Sequence, residues 1–94
     1  MRLLLAEDEV DLSEALVAVL RHNHYSVDAV YDGEAALVYL EGQEYDGVIL
    51  DIMMPKLDGI SVLRAIRAKG MRVPVLMLTA RTTVDDRSDS LLFQ

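Results

Sequence analysis

The chain contains no cysteine, so it has neither a disulfide framework nor a thiolate metal site, a usage that fits a reducing cytoplasm. Basic residues are also scarce: nine Lys and Arg stand against sixteen Asp and Glu, a net charge of −7. That balance disfavours a phosphate-backbone binder, which needs a basic stripe, and suits a protein that holds cations or meets a basic partner. No apolar run approaches the ~20 residues of a membrane span. Glu7-Asp8-Glu9 also cuts short a Leu-rich start that imitates the opening of a signal peptide. There is no repeat, low-complexity tract, interdomain linker or Gly-rich phosphate loop. What remains is a 94-residue chain, 52% hydrophobic, expected to form one soluble, acidic, cytoplasmic domain with ample material for a core.

Three apolar runs, Leu3–Ala6, Val48–Leu50 and Val75–Leu78, do not alternate with polar residues. Each is too short for a buried helix, so each reads as an interior parallel strand covered on both faces. The alternating run Tyr25–Val30 reads as an edge strand. Between them, Leu12, Ala15, Leu16, Val19 and Leu20 follow the spacing of one helix face, with Asp11 and Glu14 resembling a capping box. A second helix opens at Asp32-Gly33, presents Ala36, Leu37 and Leu40, and is expected to close on a left-handed Gly42. A third starts near Asp58, turns Ile60, Leu63 and Ile66 inward and ends at Lys69-Gly70, its basic last turn complementing the dipole. This alternation of strand and helix predicts a doubly wound α/β domain with right-handed crossovers.

In such sheets ligands sit outside the carboxyl ends of the strands. There the first strand delivers Glu7-Asp8-Glu9, the third Asp51 and the fourth Thr79-Ala80. Carboxylates gathered this closely repel one another unless a cation sits among them or one keeps its proton. Hard oxygen donors point to Mg²⁺, and Mg²⁺ to phosphate chemistry. Asp51, ending a fully apolar strand before the turn Ile52-Met53-Met54-Pro55, is placed as a carboxylate nucleophile. The plainer alternative is that it caps a strand-to-helix loop.

Together, Glu7-Asp8-Glu9, Asp51-Ile52-Met53-Met54-Pro55 with Asp58-Gly59, and Val75–Ala80 resemble the receiver domain of bacterial two-component response regulators. The resemblance runs from Met1 to about Arg87, leaving 88–94 as a tail of unclear origin. It implies a flavodoxin-like sheet ordered 2-1-3-4-5 and a phosphoryl group passed from a sensor histidine kinase to Asp51. It implies that Glu7 and Asp8 help hold Mg²⁺, with Asp8, Asp51 and the Met53 carbonyl as direct ligands. It further implies that Thr79 bonds the phosphoryl oxygen, that Asp58-Gly59 fixes the loop, and that the first helix meets the kinase. The Met-Pro turn and the Thr79-Ala80-Arg81 stretch look closest to the subfamily that carries a winged-helix DNA-binding domain after the receiver. This chain itself, by its charge, is not expected to bind DNA.

The sequence also departs from that family. Receivers end with a fifth strand bearing a Lys followed by Pro, and then a fifth helix. Here the only lysines are Lys56, read as a solvated loop residue, and Lys69. The expectation is therefore a sheet lacking the fifth strand and helix, with impaired phosphotransfer. Val75–Leu78 would then form an open edge prone to self-association, unless Leu91-Leu92-Phe93 covers it. Two other functions compete. One is an interaction fragment that binds a kinase or another receiver and accepts no phosphate. The other is a small Mg²⁺-dependent phosphohydrolase, disfavoured because Met53 stands where such enzymes resemble one another in carrying a second Asp. His22 and His24 read as helix-end residues, Met53, Met54 and Met77 as packing groups, and Arg64, Arg67 and Arg72 as a solvated face.

Overall fold

The computed structural model describes residues 1–78 and 91–93. The elements run β1 (Arg2–Ala6), α1 (Val10–His22), β2 (Ser26–Val30), α2 (Gly33–Gly42), β3 (Gly47–Asp51), α3 (Gly59–Ala68), β4 (Val75–Leu78) and β5 (Leu91–Phe93). The sheet order is β2-β1-β3-β4-β5. The first four strands are parallel, with Ala6 beside Leu50 and Asp51 beside Leu78.

The continuous apolar runs do what their pattern predicts, because successive side chains of a strand point to opposite faces and both faces here are covered. Leu4 and Ala6 join Val48, Leu50, Val75 and Met77 under α2 and α3, where Ala36, Leu40, Val62 and Ile66 close the larger core. Leu3, Leu5 and Val27 face the other way, under Leu16, Val17 and Leu20 of α1. No helix among the described residues is long and apolar enough to cross a membrane.

Helix α2 turns Ala36, Leu37 and Leu40 inward as expected, and α3 does so with Leu63 and Ile66, but α1 and the start of α3 differ from expectation. The buried side of α1 is Ser13 with Leu16, Val17 and Leu20, whereas Leu12 and Val19 are exposed. Eight apolar residues spread over more than half the circumference of α1, so periodicity alone does not choose which arc turns inward. Its N-cap is Glu9, without a side-chain cap bond, and Asp11 lies inside the first turn. In α3 the buried residues are Gly59, Val62 and Ile66, and Ile60 faces out. Gly42 remains helical, and the residue after it, Gln43, is extended. Among the described residues the left-handed positions are Gly70, His24 and Lys56.

As expected, the described residues hold no parallel fifth strand and no fifth helix. Instead Leu91–Phe93 runs antiparallel along β4, pairing Leu76 with Phe93 and Leu78 with Leu91. Along Leu76–Leu78 the outer edge of β4 is therefore paired within the chain. The open edge expected to drive self-association is closed there.

At the opposite pole from the carboxyl ends, Arg2 ties the sheet to the α2–β3 connection. Its backbone N–H donates to Asp46 Oδ2 at 2.7 Å and its guanidinium to Asp28 Oδ2 at 3.0 Å. The Tyr45 hydroxyl donates to the same Asp28 oxygen at 2.7 Å, beneath the Arg2 guanidinium. The Tyr45 bond, and then Arg2, hold the Asp28 carboxyl below its ordinary value. An acid depressed in the fold stabilises it above the unfolded value and loses that stabilisation as pH falls through the folded one. Tyr45→Phe should accordingly cost about 1 kcal/mol at neutral pH. In urea titrations the deficit should shrink once Asp28 is protonated in strong acid, and a deficit independent of pH would assign it to packing instead.

Candidate functional site

The parallel register of β1 and β3 ends with Ala6 beside Leu50, which brings the next residue along each strand, Glu7 and Asp51, to the same rim. Glu7, Asp8 and Asp51 each offer a carboxylate oxygen, and these atoms all lie within 4.8 Å of one another. Glu7 is 4% exposed and Asp51 2%, while Asp8 is open to solvent. The sequence-predicted acids thus converge, except that Glu9 serves as the N-cap of α1. Its backbone N–H donates to Glu7 Oε2 at 2.9 Å, and the Met53 N–H donates to Asp51 Oδ1 at 3.3 Å. Thr79 lies outside the described residues.

Burial is the main force on these carboxyls. It pushes Glu7 up to about 7, with the neighbouring Asp51 adding to the rise and the Glu9 N–H opposing it. Asp51 is raised as well, first by burial and further by Asp8, against the pull of the Met53 N–H. The ion pairs among the described residues join Arg2 to Asp28, Lys56 to Asp32 and Lys69 to Glu41, and none reaches the three rim acids. Three carboxyl groups, two of them buried, with no cationic side chain among the described residues to neutralise them: once deprotonated, this donor set fits a small, hard divalent cation.

The loop after Asp51 is clamped from both sides. Asp58 caps α3 by accepting the Ser61 N–H at 2.7 Å, and that bond holds its carboxyl below the ordinary value. The Gly59 N–H reaches the Ile52 carbonyl at 2.8 Å. A Cβ at Gly59 would collide with the backbone carbonyl of Asp51, so only glycine lets α3 start this close to Asp51. On the other side, a Cβ at Gly33 would collide with the Leu57 carbonyl. The Pro55 carbonyl accepts N–H groups from Leu57 at 2.7 Å and Gly33 at 3.5 Å. Lys56, in a left-handed backbone conformation, is 3.8 Å from Asp32, the cap of α2. The link from α2 to the loop through Asp32, Gly33, Lys56 and Leu57 has no local sequence signal, because it joins segments more than twenty residues apart. Beyond the loop, Asp8, Met53, Met54 and Ile60 line a cleft of about 500 Å³, with Met53 itself exposed.

A doubly wound parallel sheet with an acidic pocket at the carboxyl end of its first and third strands defines the class. Residues 3–93 match the response regulator receiver domain, and the chain belongs to that family. Over 91 residues it is 44% identical to the transcriptional regulatory protein DltR of Streptococcus agalactiae, covering 97% of this chain and 41% of DltR. The chain therefore spans about two fifths of the length of the curated relatives it matches. Among solved structures it is similar to the receiver domain of the sensor histidine kinase PA1611 of Pseudomonas aeruginosa, solved with magnesium coordinated in the active-site cleft. The two are 41% identical with a TM-score of 0.82, over 92% of this chain and 72% of that one. It is also similar to the response regulator TrrA of Thermotoga maritima in complex with Mg²⁺-BeF. That match is 38% identical with a TM-score of 0.80, over 94% of this chain and 75% of that one. Receiver domains are signalling domains rather than classical enzymes.

The raised Glu7 carboxyl carries a testable sign. An acid raised in the fold keeps its proton longer than in the unfolded chain, so metal-free stability should fall as pH rises from about 4.5 to about 7. Urea titrations should show this decline in the parent chain and a flatter profile in Glu7→Gln. At neutral pH, Mg²⁺ at tenfold its Kd should return about 1.4 kcal/mol. Asp51→Asn should gain less, and an equal gain would place the cation elsewhere.

Proposed function

We propose that Asp51 is the phosphoacceptor of a two-component relay, charged in a Mg²⁺-dependent transfer from a phosphohistidine of a sensor histidine kinase. The observation that carries this reading is the buried Asp51 carboxylate, packed against Glu7 and Asp8 at the strand rim and aligned by the Met53 N–H. In the transfer an Asp51 carboxylate oxygen bonds to phosphorus as the phosphorus–nitrogen bond to the donor imidazole breaks, and the imidazole takes up the electron pair. Asp8, Asp51 and the Met53 carbonyl would hold the Mg²⁺ directly, and Glu7 would help to hold it. Bound there, the ion would neutralise charge on the phosphoryl oxygens. Thr79 is assigned the hydrogen bond to a phosphoryl oxygen. The clamped loop from Ile52 to Asp58 keeps the acceptor from moving during attack.

The domain assignment that goes with this reading is a receiver over 1–87 and a tail over 88–94. The relatives' description as transcriptional regulatory proteins supports a cytoplasmic parent that reads DNA through a winged-helix domain, with this acidic segment as its input. One observation favours a second reading. The two lysines of these 94 residues, Lys56 and Lys69, both precede β4, so neither supplies the phosphate-pairing Lys that the family carries after it. The loss of one such fixed donor typically costs about 2.7–4 kcal/mol of transition-state stabilisation. On that reading the chain binds a kinase or another receiver without accepting phosphate.

Intact mass after incubation with acetyl phosphate and Mg²⁺ separates the two. The acceptor reading expects a slow gain of about 80 Da, one phosphoryl group, in the parent chain and none in Asp51→Asn. A folded, Mg²⁺-binding sample that gains no mass would leave the interaction fragment.

A further inference from the structure

We propose that the cleft between α1 and the outer edge of β2 is a binding site for short zwitterionic peptides, and this goes beyond the phosphoacceptor reading. β2 ends the sheet, so one side of its backbone has no neighbouring strand among the described residues. The Ser26 N–H reaches the Met1 carbonyl and the Val30 carbonyl accepts the Glu7 N–H, so the backbone groups of Ser26, Asp28 and Val30 face β1. Those of Val27 and Ala29 therefore face outward. The Arg21 guanidinium crosses from α1 to the Val27 carbonyl at 3.2 Å, which leaves the N–H and carbonyl of Ala29 as the open donor and acceptor pair on this edge.

Beside Ala29 lies a cleft of about 370 Å³, lined by Ser13, Glu14, Val17 and Arg21 of α1 and by Ala29 and Tyr31. It is on the opposite side of α1 from Leu12, Ala15 and Val19. Ser13 is fully buried and its hydroxyl has no hydrogen-bond partner. Native folds rarely leave such a group unmet, and here it belongs to the wall of a cleft. Glu14 and Arg21 are exposed and belong to none of the ion pairs among the described residues. They stand seven residues apart, about two turns or 10.5 Å along one side of the helix.

An acid at one end, a guanidinium at the other and an open strand edge between them match one chemical class. An extended tripeptide spans about 10 Å, so its amine and carboxylate reach Glu14 and Arg21 together. α1 runs away from the acidic rim and β2 runs towards it, so a peptide with its amine at Glu14 is antiparallel to β2. Its central residue, opposite Ala29, exchanges both backbone bonds with it. Directly paired residues share a face of the sheet, and Ala29, like Val27, faces α1. The central side chain thus enters the cleft on the Ser13 side, where a small hydroxyl side chain supplies the missing partner.

Titration of the isotope-labelled full chain with Ala-Ser-Ala, followed by amide chemical shifts, tests the site. The peptide should shift Ala29 and Tyr31 and leave Asp8 and Asp51 unmoved, with a Kd of about 1 mM. N-acetylation or C-amidation of the peptide should each weaken binding about fivefold. Glu14→Gln should erase the cost of acetylation, and Arg21→Gln that of amidation. Ala-Ala-Ala should bind about threefold more weakly than Ala-Ser-Ala, a difference lost in Ser13→Ala. That variant should be no less stable than the parent in urea, since it removes a hydroxyl without a partner. Absence of shifts at Ala29 at about 10 mM peptide would overturn the proposal, as would capped peptides that bind as tightly as free ones. Charge effects that persist in the Glu14 and Arg21 variants would overturn it too. A Ser13→Ala chain that loses stability and keeps the Ala-Ser-Ala preference would overturn the part given to the hydroxyl.

Discussion

The burial of Glu7 and Asp51 beside Asp8 is the constraint around which the rest of this domain is arranged. Two of the three carboxyls are buried, and no basic side chain among the described residues reaches them. Water cannot solvate them fully, so the fold relieves the charge by holding a proton on the rim or by accepting a cation. The apolar strands behind them supply the energy that keeps them there. Leu4, Leu5, Ala6, Val48 and Leu50 are almost wholly buried, and their burial opposes the cost of gathering acids at the strand ends.

Precision at this rim comes from backbone contacts rather than from side-chain bulk. Gly59 brings the start of α3 against the Asp51 carbonyl, and Gly33 brings the start of α2 against Leu57. Between these contacts the loop from Ile52 to Asp58 has little room to move. The N-caps Asp32 and Asp58 secure the two helix starts that do the clamping. A site of this kind separates its tasks: the strands place the carboxyls, the helix starts fix the loop, and Asp8 and Met53 stay exposed to solvent.

Much of this was legible in the sequence because strand and rim signals are local. Unbroken apolar runs locate β1, β3 and β4, and the acids that end the first two put Glu7, Asp8 and Asp51 at one end of the sheet. Helix rotation was less legible. On α1 the apolar arc is wide enough to admit several orientations, and tertiary packing on Leu3, Leu5 and Val27 chooses the one that leaves Leu12 and Val19 outside. On α3 the close approach of Gly59 to Asp51 sets the rotation and turns Ile60 out in favour of Val62. Nor did residue type signal the left-handed backbone at Lys56, which depends on the clamp between α2 and α3. The antiparallel course of Leu91–Phe93 was open from sequence, since three apolar residues state a wish for cover without stating a direction.

The account stands on one atom group, the Asp51 carboxylate, acting as an acceptor that needs a cation beside it. The most direct test treats the chain with a small-molecule phosphodonor, reduces any acyl phosphate with borohydride and maps the product by peptide mass spectrometry. The account predicts reduction at Asp51 alone, and only when Mg²⁺ was present during phosphorylation. Reduction at another carboxylate, or at Asp51 regardless of Mg²⁺, would contradict it.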